Sequence, residues 1–259
     1  MIMKRILTGA AALLSLTIGA HAIAQEPEEL RVCVAELQPW IYVDAEHDGI
    51  RGFEVDALKG LAEELNVTTS FVVRDFEDLK PSLMKGECDI IASGFSITLE
   101  RVQDVSFSVP YNQTEYHLLV PTGSAEKYDS LDAFDAPEMR IGHLAGGVSG
   151  QVAEEFFPNA QLVPLPARID SLDAFRNGEI DAYVSSDPFD EIINQVAPGE
   201  FTTFDDELLR VSIEAFAVRK NNTELLDKLN PFIIRGVNDN YFRTLHRKWF
   251  TKEEMLTGY

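Results

Sequence analysis

Gly86-Glu87-Cys88-Asp89-Ile90-Ile91-Ala92-Ser93 and Gly178-Glu179-Ile180-Asp181-Ala182-Tyr183-Val184-Ser185 share one pattern, G-E-x-D-x-x-x-S. In each, the Gly closes a helical stretch and the residues after the Asp read as a strand. Gly is the usual helix stop and acids are common in turns, so any single match is weak. Four shared positions at equivalent helix-to-strand joins point instead to one structural unit used twice.

Strands and helices alternate on either side of each copy. Residues 30–35 predict a strand. Residues 53–65 predict a helix with Val55, Leu58, Leu61, Ala62 and Leu65 at helical spacing, and Asn66 suits its end. Residues 68–73 predict a β-branched and aromatic strand, and 75–85 a helix. Pro81 suits a first turn, so the regular part of that helix starts near Leu79. Residues 88–92 close the unit as a strand. The second unit repeats the plan with strands at 139–144, 161–164 and 181–185 and helices at 149–157 and 169–176. This alternation implies parallel sheets covered by helices, an α/β fold of two Rossmann-like lobes.

No Gly/Ser-rich linker joins the lobes. Apolar, strand-like stretches near 117–121 and 214–218 are the expected crossings, two strand hinges about which rigid lobes open and shut. The tail, 223–250, predicts helix, with Leu225, Leu226, Leu229, Ile233, Ile234, Leu245 and Trp249 available to pack on the first lobe. Residues 25–114 with 214–259 then form lobe 1, and 115–213 form lobe 2.

Residues 1–24 read as an export signal peptide: Lys4 and Arg5, an apolar run from Ile6 to Ile18, then small residues around Ala20, Ala22 and Ala24. A membrane anchor would want roughly 20 apolar residues, and no Cys stands at the cleavage point for a lipid. Cleavage removes Lys4 and Arg5 and no acid, moving the net charge from −21 to −23. Such acidity opposes nucleic acid and anionic lipid surfaces as partners. An exported chain meets an oxidising compartment, where Cys33 and Cys88 can pair. Both are also readable as small buried hydrophobes.

Ser93 to Arg101 (SGFSITLER) carries the most chemistry. Thr98 is a good N-cap, and a capping box would put Glu or Gln three residues on. Arg101 stands there, and a cation in a first helical turn opposes the macrodipole by about a few tenths of a kcal/mol. Backbone N–H groups, the Ser96 hydroxyl and a guanidinium fork can together hold a carboxylate at a strand's C-terminal edge. The plainer reading is a surface Arg paired with a neighbouring acid.

From about residue 29 to 250 the chain resembles the polar amino-acid family (family 3) of bacterial periplasmic solute-binding proteins, the receptors of ABC importers. The resemblance rests on Leu30-Arg31-Val32, Gly52-Phe53-Glu54-Val55-Asp56, Cys88-Asp89-Ile90-Ile91 and S-I-T-x-E-R at Ser96 to Arg101. It continues with Phe107-Ser108-Val109-Pro110-Tyr111, Asn177-Gly178-Glu179-Ile180-Asp181-Ala182 and Arg247-Lys248-Trp249-Phe250. It implies a type II periplasmic binding protein: a periplasmic monomer with no cofactor and no metal, closing on an amino acid or related carboxylate and docking on an inner-membrane permease.

By that resemblance Arg101 forms the salt bridge to the ligand's α-carboxylate, Ser96 supports it, and the Gly94 carbonyl accepts from the α-amino group. Trp40 is the expected stacking aromatic, and Phe53 and Phe95 are further candidates for the pocket wall. The sequence departs from the family pattern twice. The family's ammonium-binding acid would stand at Ser186, with Asp187 one residue later; either the loop presents Asp187, or the amine is bound otherwise, or the ligand has none. After Leu144, where a Gly is usually followed by Thr or Ser, the chain has Ala145-Gly146-Gly147-Val148-Ser149, leaving the N–H groups of Gly147 and Val148 for the carboxylate.

No catalytic residues are expected. His47, His117, His143 and His246 are scattered without metal-ligand spacing, and G-x-S-x-G, P-loop and dinucleotide patterns are missing. The adjacent acids Glu154-Glu155 and Asp205-Asp206 read as solvated faces. Two rivals share the cleft: a periplasmic dehydratase of the cyclohexadienyl or prephenate type, and a ligand-sensing partner of a membrane receptor.

Overall fold

The computed structural model describes residues 28–44, 49–204, 208–251 and 255. The expected signal peptide and Asp205-Asp206 lie outside them. The first half contains β1 (Glu29–Val34), β2 (Tyr42–Asp44), β3 (Gly49–Arg51), α1 (Phe53–Leu65), β4 (Thr68–Val73), α2 (Leu79–Lys85), β5 (Ile90–Ile91), α3 (Arg101–Asp104) and β6 (Val105–Phe107). Next come β7 (Asn112–Pro121), α4 (Thr122–Ala125), β8 (Arg140–Leu144), α5 (Val148–Phe156), β9 (Gln161–Leu165), α6 (Asp170–Arg176) and β10 (Ala182–Ser186). The chain continues through α7 (Phe189–Val196), β11 (Phe201–Thr203), β12 (Arg210–Glu214), β13 (Ala217–Arg219), α8 (Thr223–Asn238) and α9 (Tyr241–Trp249).

Two sheets result. One runs β4-β1-β5-β13-β6, and the other runs β11-β7-β10-β8-β9 with β12 also paired to β7. In the first, β1 lies between parallel partners β4 and β5, which is why Val32, Cys33 and Val34 are all fully buried. Apolar residues of α1 (Val55, Leu58, Leu61) cover this sheet, and Asn66 ends the helix in the left-handed conformation at φ 54°. Pro81 sits in the first turn of α2, behind a 3₁₀ turn at Phe76–Asp78. Cys33 and Cys88 are joined by a disulfide with their Cα atoms 5.6 Å apart, which decides between the two readings left open above.

The repeated G-E-x-D motif is a structural clamp built twice. Arg31 grips Asp89 with Nε at 3.1 Å and Nη2 at 3.0 Å, while Nη1 caps the Gly86 carbonyl at 2.9 Å. Arg140 repeats this on Asp181, at 2.9 and 2.8 Å, and on the Gly178 carbonyl. In both lobes the first strand is thereby tied to the C-terminus of the second helix, satisfying an orphan carbonyl.

Four expectations need correction. Residues 117–121 lie inside β7, in the middle of the second sheet; the crossings are at 108–111 and 215–216. They run side by side, with Ser108 N–H donating to the Phe216 carbonyl at 2.9 Å and Tyr111 N–H to that of Glu214 at 3.1 Å. The tail is two helices, broken by Asn240 at φ 60°; Leu229, Ile233, Leu245 and Trp249 pack on the first core, but Ile234 is half exposed. Strand β5 keeps only two residues of the predicted 88–92. Finally, α3 is a single turn, too short for the aligned dipoles assumed for Arg101. Thr98 does accept from the Arg101 N–H, at 3.1 Å.

Among the described residues, no helix is long and apolar enough to cross a membrane.

Candidate functional site

The loop after β5, the single turn α3, the start of β7 and the end of β12 supply one side of a cleft. The loops after β8, β9 and β10 supply the other. The loops after β5, β8, β9 and β10 leave C-terminal ends of parallel-paired strands, where α/β sheets bind ligands. Between them lies a cavity of about 30 Å³, bordered by Gly94, Ser96, Arg101 and Trp40 from one lobe, Gly147, Val148, Arg168 and Ser186 from the other, and Glu214 at the end of β12 beside the crossing.

Arg101 is buried, and its guanidinium lies 3.8 Å above the Phe95 ring. Nη1 donates to the Ser96 carbonyl at 2.8 Å, and Nη2 to the Gly146 carbonyl at 2.8 Å, across the cleft. Burial drags its pKa down to about 10, still charged at neutral pH. Among the described residues it makes no ion pair within 4 Å. The alternative of a surface Arg paired with a nearby acid does not describe it. A buried cation held by two carbonyls and the Phe95 and Phe76 rings retains the capacity to take a carboxylate.

Ser96 is buried beside Tyr116, whose hydroxyl it bonds, and its backbone pairs with Glu214. Gly94 turns the chain at φ 57°. Trp40 is held from behind: the Phe53 and Glu54 N–H groups that open α1 donate to the Pro39 and Trp40 carbonyls at 3.1 and 3.3 Å. That approach requires Gly52, because a Cβ there would stand 2.2 Å from the Trp40 oxygen. The Gly147 N–H already donates to Leu144 O at 3.0 Å, whereas Val148 is the first residue of α5, where an N–H has no intrahelical acceptor.

Six expected residues therefore border one cavity: Arg101, Ser96, Gly94, Trp40, Gly147 and Val148. Two do not. Phe53 packs in the first core among Tyr111, Phe242, His246 and Phe250, and Phe95 stands beneath Arg101. Asp187 faces a neighbouring opening with Asn112, Pro188 and His246, on the far side of Trp40 and Thr114, which border both spaces. Burial and then Asp190 raise its carboxyl to about 6, against the pull of His117. Glu115, His117 and Asp187 bring their ligating atoms within 4.8 Å of one another, but a lone group of partly exposed acids and a His is also what an ordinary surface ion pair looks like.

Sequence reasoning missed Glu214 and Arg168. Glu214 is buried and accepts from Thr114 Oγ1 at 2.5 Å, Asn112 Nδ2 at 2.8 Å and Trp40 Nε1 at 2.9 Å. Its burial raises its pKa, while those donors and Arg168 pull the other way. An acid opening the otherwise apolar run EAFAV was the available signal. Arg168 lies in the loop after β9, three residues past the strand's C-terminal end, a position that should have drawn notice.

The family model "Bacterial extracellular solute-binding proteins, family 3" matches residues 30–252. The chain belongs to this family. As a family 3 solute-binding protein it is similar to a "Putative ABC transporter arginine-binding protein 2" of Escherichia coli (strain K12), 28% identical over 96% of this chain and 100% of that one. It is also similar to a "Probable histidine-binding protein" of Neisseria gonorrhoeae, 28% identical over 85% of this chain and 81% of the other. Both relatives are named as binding proteins, not enzymes. Among solved structures, this family 3 protein resembles "the ancestral amino acid-binding protein AncCDT-1, a precursor of cyclohexadienyl dehydratase". The TM-score is 0.77 and the identity 29%, covering 86% of this chain and 96% of that one. These likenesses agree with the type II fold of two lobes and two strand crossings.

Proposed function

We propose that the chain is the periplasmic substrate-binding component of an ABC importer, capturing a small amino acid or amino-acid-like carboxylate by closure of its lobes. The observation that carries this reading is Arg101: a buried guanidinium on the wall of an interlobe cavity, bonded only to carbonyls. It would take the ligand's carboxylate, with Ser96 and the Val148 N–H at its sides. Residues 1–24 would direct export and be cleaved, leaving in the periplasm a monomer that presents its closed form to the permease.

The dimensions of the cavity support closure. A cavity of about 30 Å³ is far below the roughly 300 Å³ at which ligand pockets begin, so an amino acid enters only if the lobes part. With the crossings at 108–111 and 215–216, lobe 1, residues 25–107 with 217–259, and lobe 2, residues 112–214, would turn about them. Excluding water then strengthens the salt bridge to Arg101, and the ligand favours the closed state by its differential affinity.

A thermal-shift screen of refolded exported protein against the twenty amino acids and related small carboxylates tests the proposal. A ligand at 100 times its Kd stabilises the native state by about 2.7 kcal/mol. A flat response to every amino acid and related carboxylate would refute it.

A further inference from the structure

The cavity carries more charge than a simple zwitterion needs. Two guanidiniums border it, Arg101 from lobe 1 and Arg168 from lobe 2, together with one carboxylate, Glu214. Arg168 is buried; it stacks 4.9 Å from the Phe189 ring centre and 5.7 Å from that of Trp40. Its Nη1 lies 3.4 Å from Ser186 Oγ, so the position where the family pattern expects an ammonium-binding acid is a hydroxyl beside a cation. A second cation gains nothing there.

Glu214 offers the opposite. Three donors leave part of its accepting capacity, about four lone-pair sites, unused. A Cβ placed on Gly94 would stand 3.1 Å from Glu214 Oε1, so the carboxylate lies against the residue whose carbonyl is expected to meet the ligand's amine. The charged groups of the cavity are thus two cations, on opposite lobes, and one anion between them beside Gly94.

We infer that the cleft selects an acidic α-amino acid, with the α-carboxylate on Arg101, the ammonium on Glu214 and the side-chain carboxylate on Arg168. The inference rests on the amino-acid-binding reading above and deepens it. Each charge of such a ligand meets one opposite charge in a water-poor space, where an unmatched charge is costly. A cationic amino acid would bring its side chain against Arg168. Arg168 Nη2 also donates to the Gln38 carbonyl across the cleft, so it binds lobe to lobe as well as facing the ligand.

The test is calorimetric titration of the refolded exported protein with L-glutamate, L-aspartate, L-glutamine, L-arginine and 2-oxoglutarate. The better of L-glutamate and L-aspartate should bind about 10- to 100-fold tighter than L-glutamine or L-arginine. 2-Oxoglutarate, which has no ammonium, should be weaker by a similar factor. In Arg168→Gln the preference for L-glutamate over L-glutamine should shrink to a few-fold. Equal weakening of both ligands in that variant would mark Arg168 as an interlobe latch and overturn the inference. Tight L-arginine or L-glutamine binding that Arg101→Ala abolishes would also overturn it, while leaving the amino-acid reading intact. Binding of none of these would overturn the inference and leave the amino-acid reading to the wider thermal-shift screen. The wild-type ranking decides the matter even if Arg168→Gln does not fold.

Discussion

Arg101 Nη2 donates to the carbonyl oxygen of Gly146 at 2.8 Å, a bond that reaches from one lobe to the other at the mouth of the cavity. The residue proposed to take the ligand's carboxylate is thus also a point of contact between lobes. Ligand capture and lobe approach share one side chain.

Arg101→Ala should raise the Kd for any carboxylate ligand by at least about 100-fold, as expected when a charge-assisted fork is lost. The fold should survive, because only the Ser96 and Gly146 carbonyls lose a partner, at about 1–2 kcal/mol. Calorimetry for binding and urea unfolding for stability separate the two effects. Unchanged affinity in a folded variant would remove Arg101 from the site.

Gly146→Ala tests lobe closure. Gly146 has φ 68°, and a Cβ there would stand 2.6 Å from the Glu77 Cα in the other lobe. The methyl group cannot be placed without moving the lobes apart, whereas the open form has room for it. Affinity should fall about tenfold or more, with a stability loss of about 1–2 kcal/mol from the left-handed backbone. Small-angle scattering with saturating ligand should show a larger radius than wild type. An unaltered radius and affinity would mean that the lobes do not close there.

Glu54 makes stability depend on pH. Burial raises its carboxyl to about 8, against the hydrogen bonds from Tyr111 and the Gly94 N–H. In the unfolded chain the same group ionises near 4.5. Between these values the native state binds more protons than the unfolded state, so stability falls as pH rises, by up to about 1.4 kcal/mol per pH unit. Glu54→Gln cannot ionise and should flatten that slope, gaining on wild type from pH 5 to pH 8. Parallel stability curves across that range would show that the shift is not there.

Asp89→Ala should destabilise more than Asp181→Ala. Asp89 accepts from both Arg31 and Arg219 and is the better buried of the two, at 18% against 33% side-chain exposure. Asp181 serves Arg140 alone among the guanidiniums. Losses of about 2–3 and about 1–2 kcal/mol are expected, read from urea midpoints. Equal losses would mean that the second guanidinium contributes nothing.

Much of the fold was legible because its signals act over a few residues. The period of α1, its Asn66 stop, the delayed start of α2 at Leu79 and the Gly86 cap are each set by local sterics and hydrogen bonding. The repeated G-E-x-D join marked the two lobes for the same reason: its Asp, its Gly carbonyl and the first strand's Arg form one compact clamp. Ile234 shows the limit, since apolar identity on a helix does not say which face a neighbour will cover.

The sequence by itself determined the α/β elements, their duplication, and the local frame that puts Ser96, Thr98 and Arg101 together within one turn. Only the tertiary structure decided that Cys33 meets Cys88, that the crossings run beside each other, that Asp187 sits behind Trp40, and that Glu214 and Arg168 join Arg101. Trp40 and Glu214 are 174 residues apart in the chain. Their meeting depends on strand order and on how the lobes face each other, and neither is encoded in the neighbourhood of either residue. Periodicity and caps are short-range physics; a binding cleft between two lobes is built from long-range contacts.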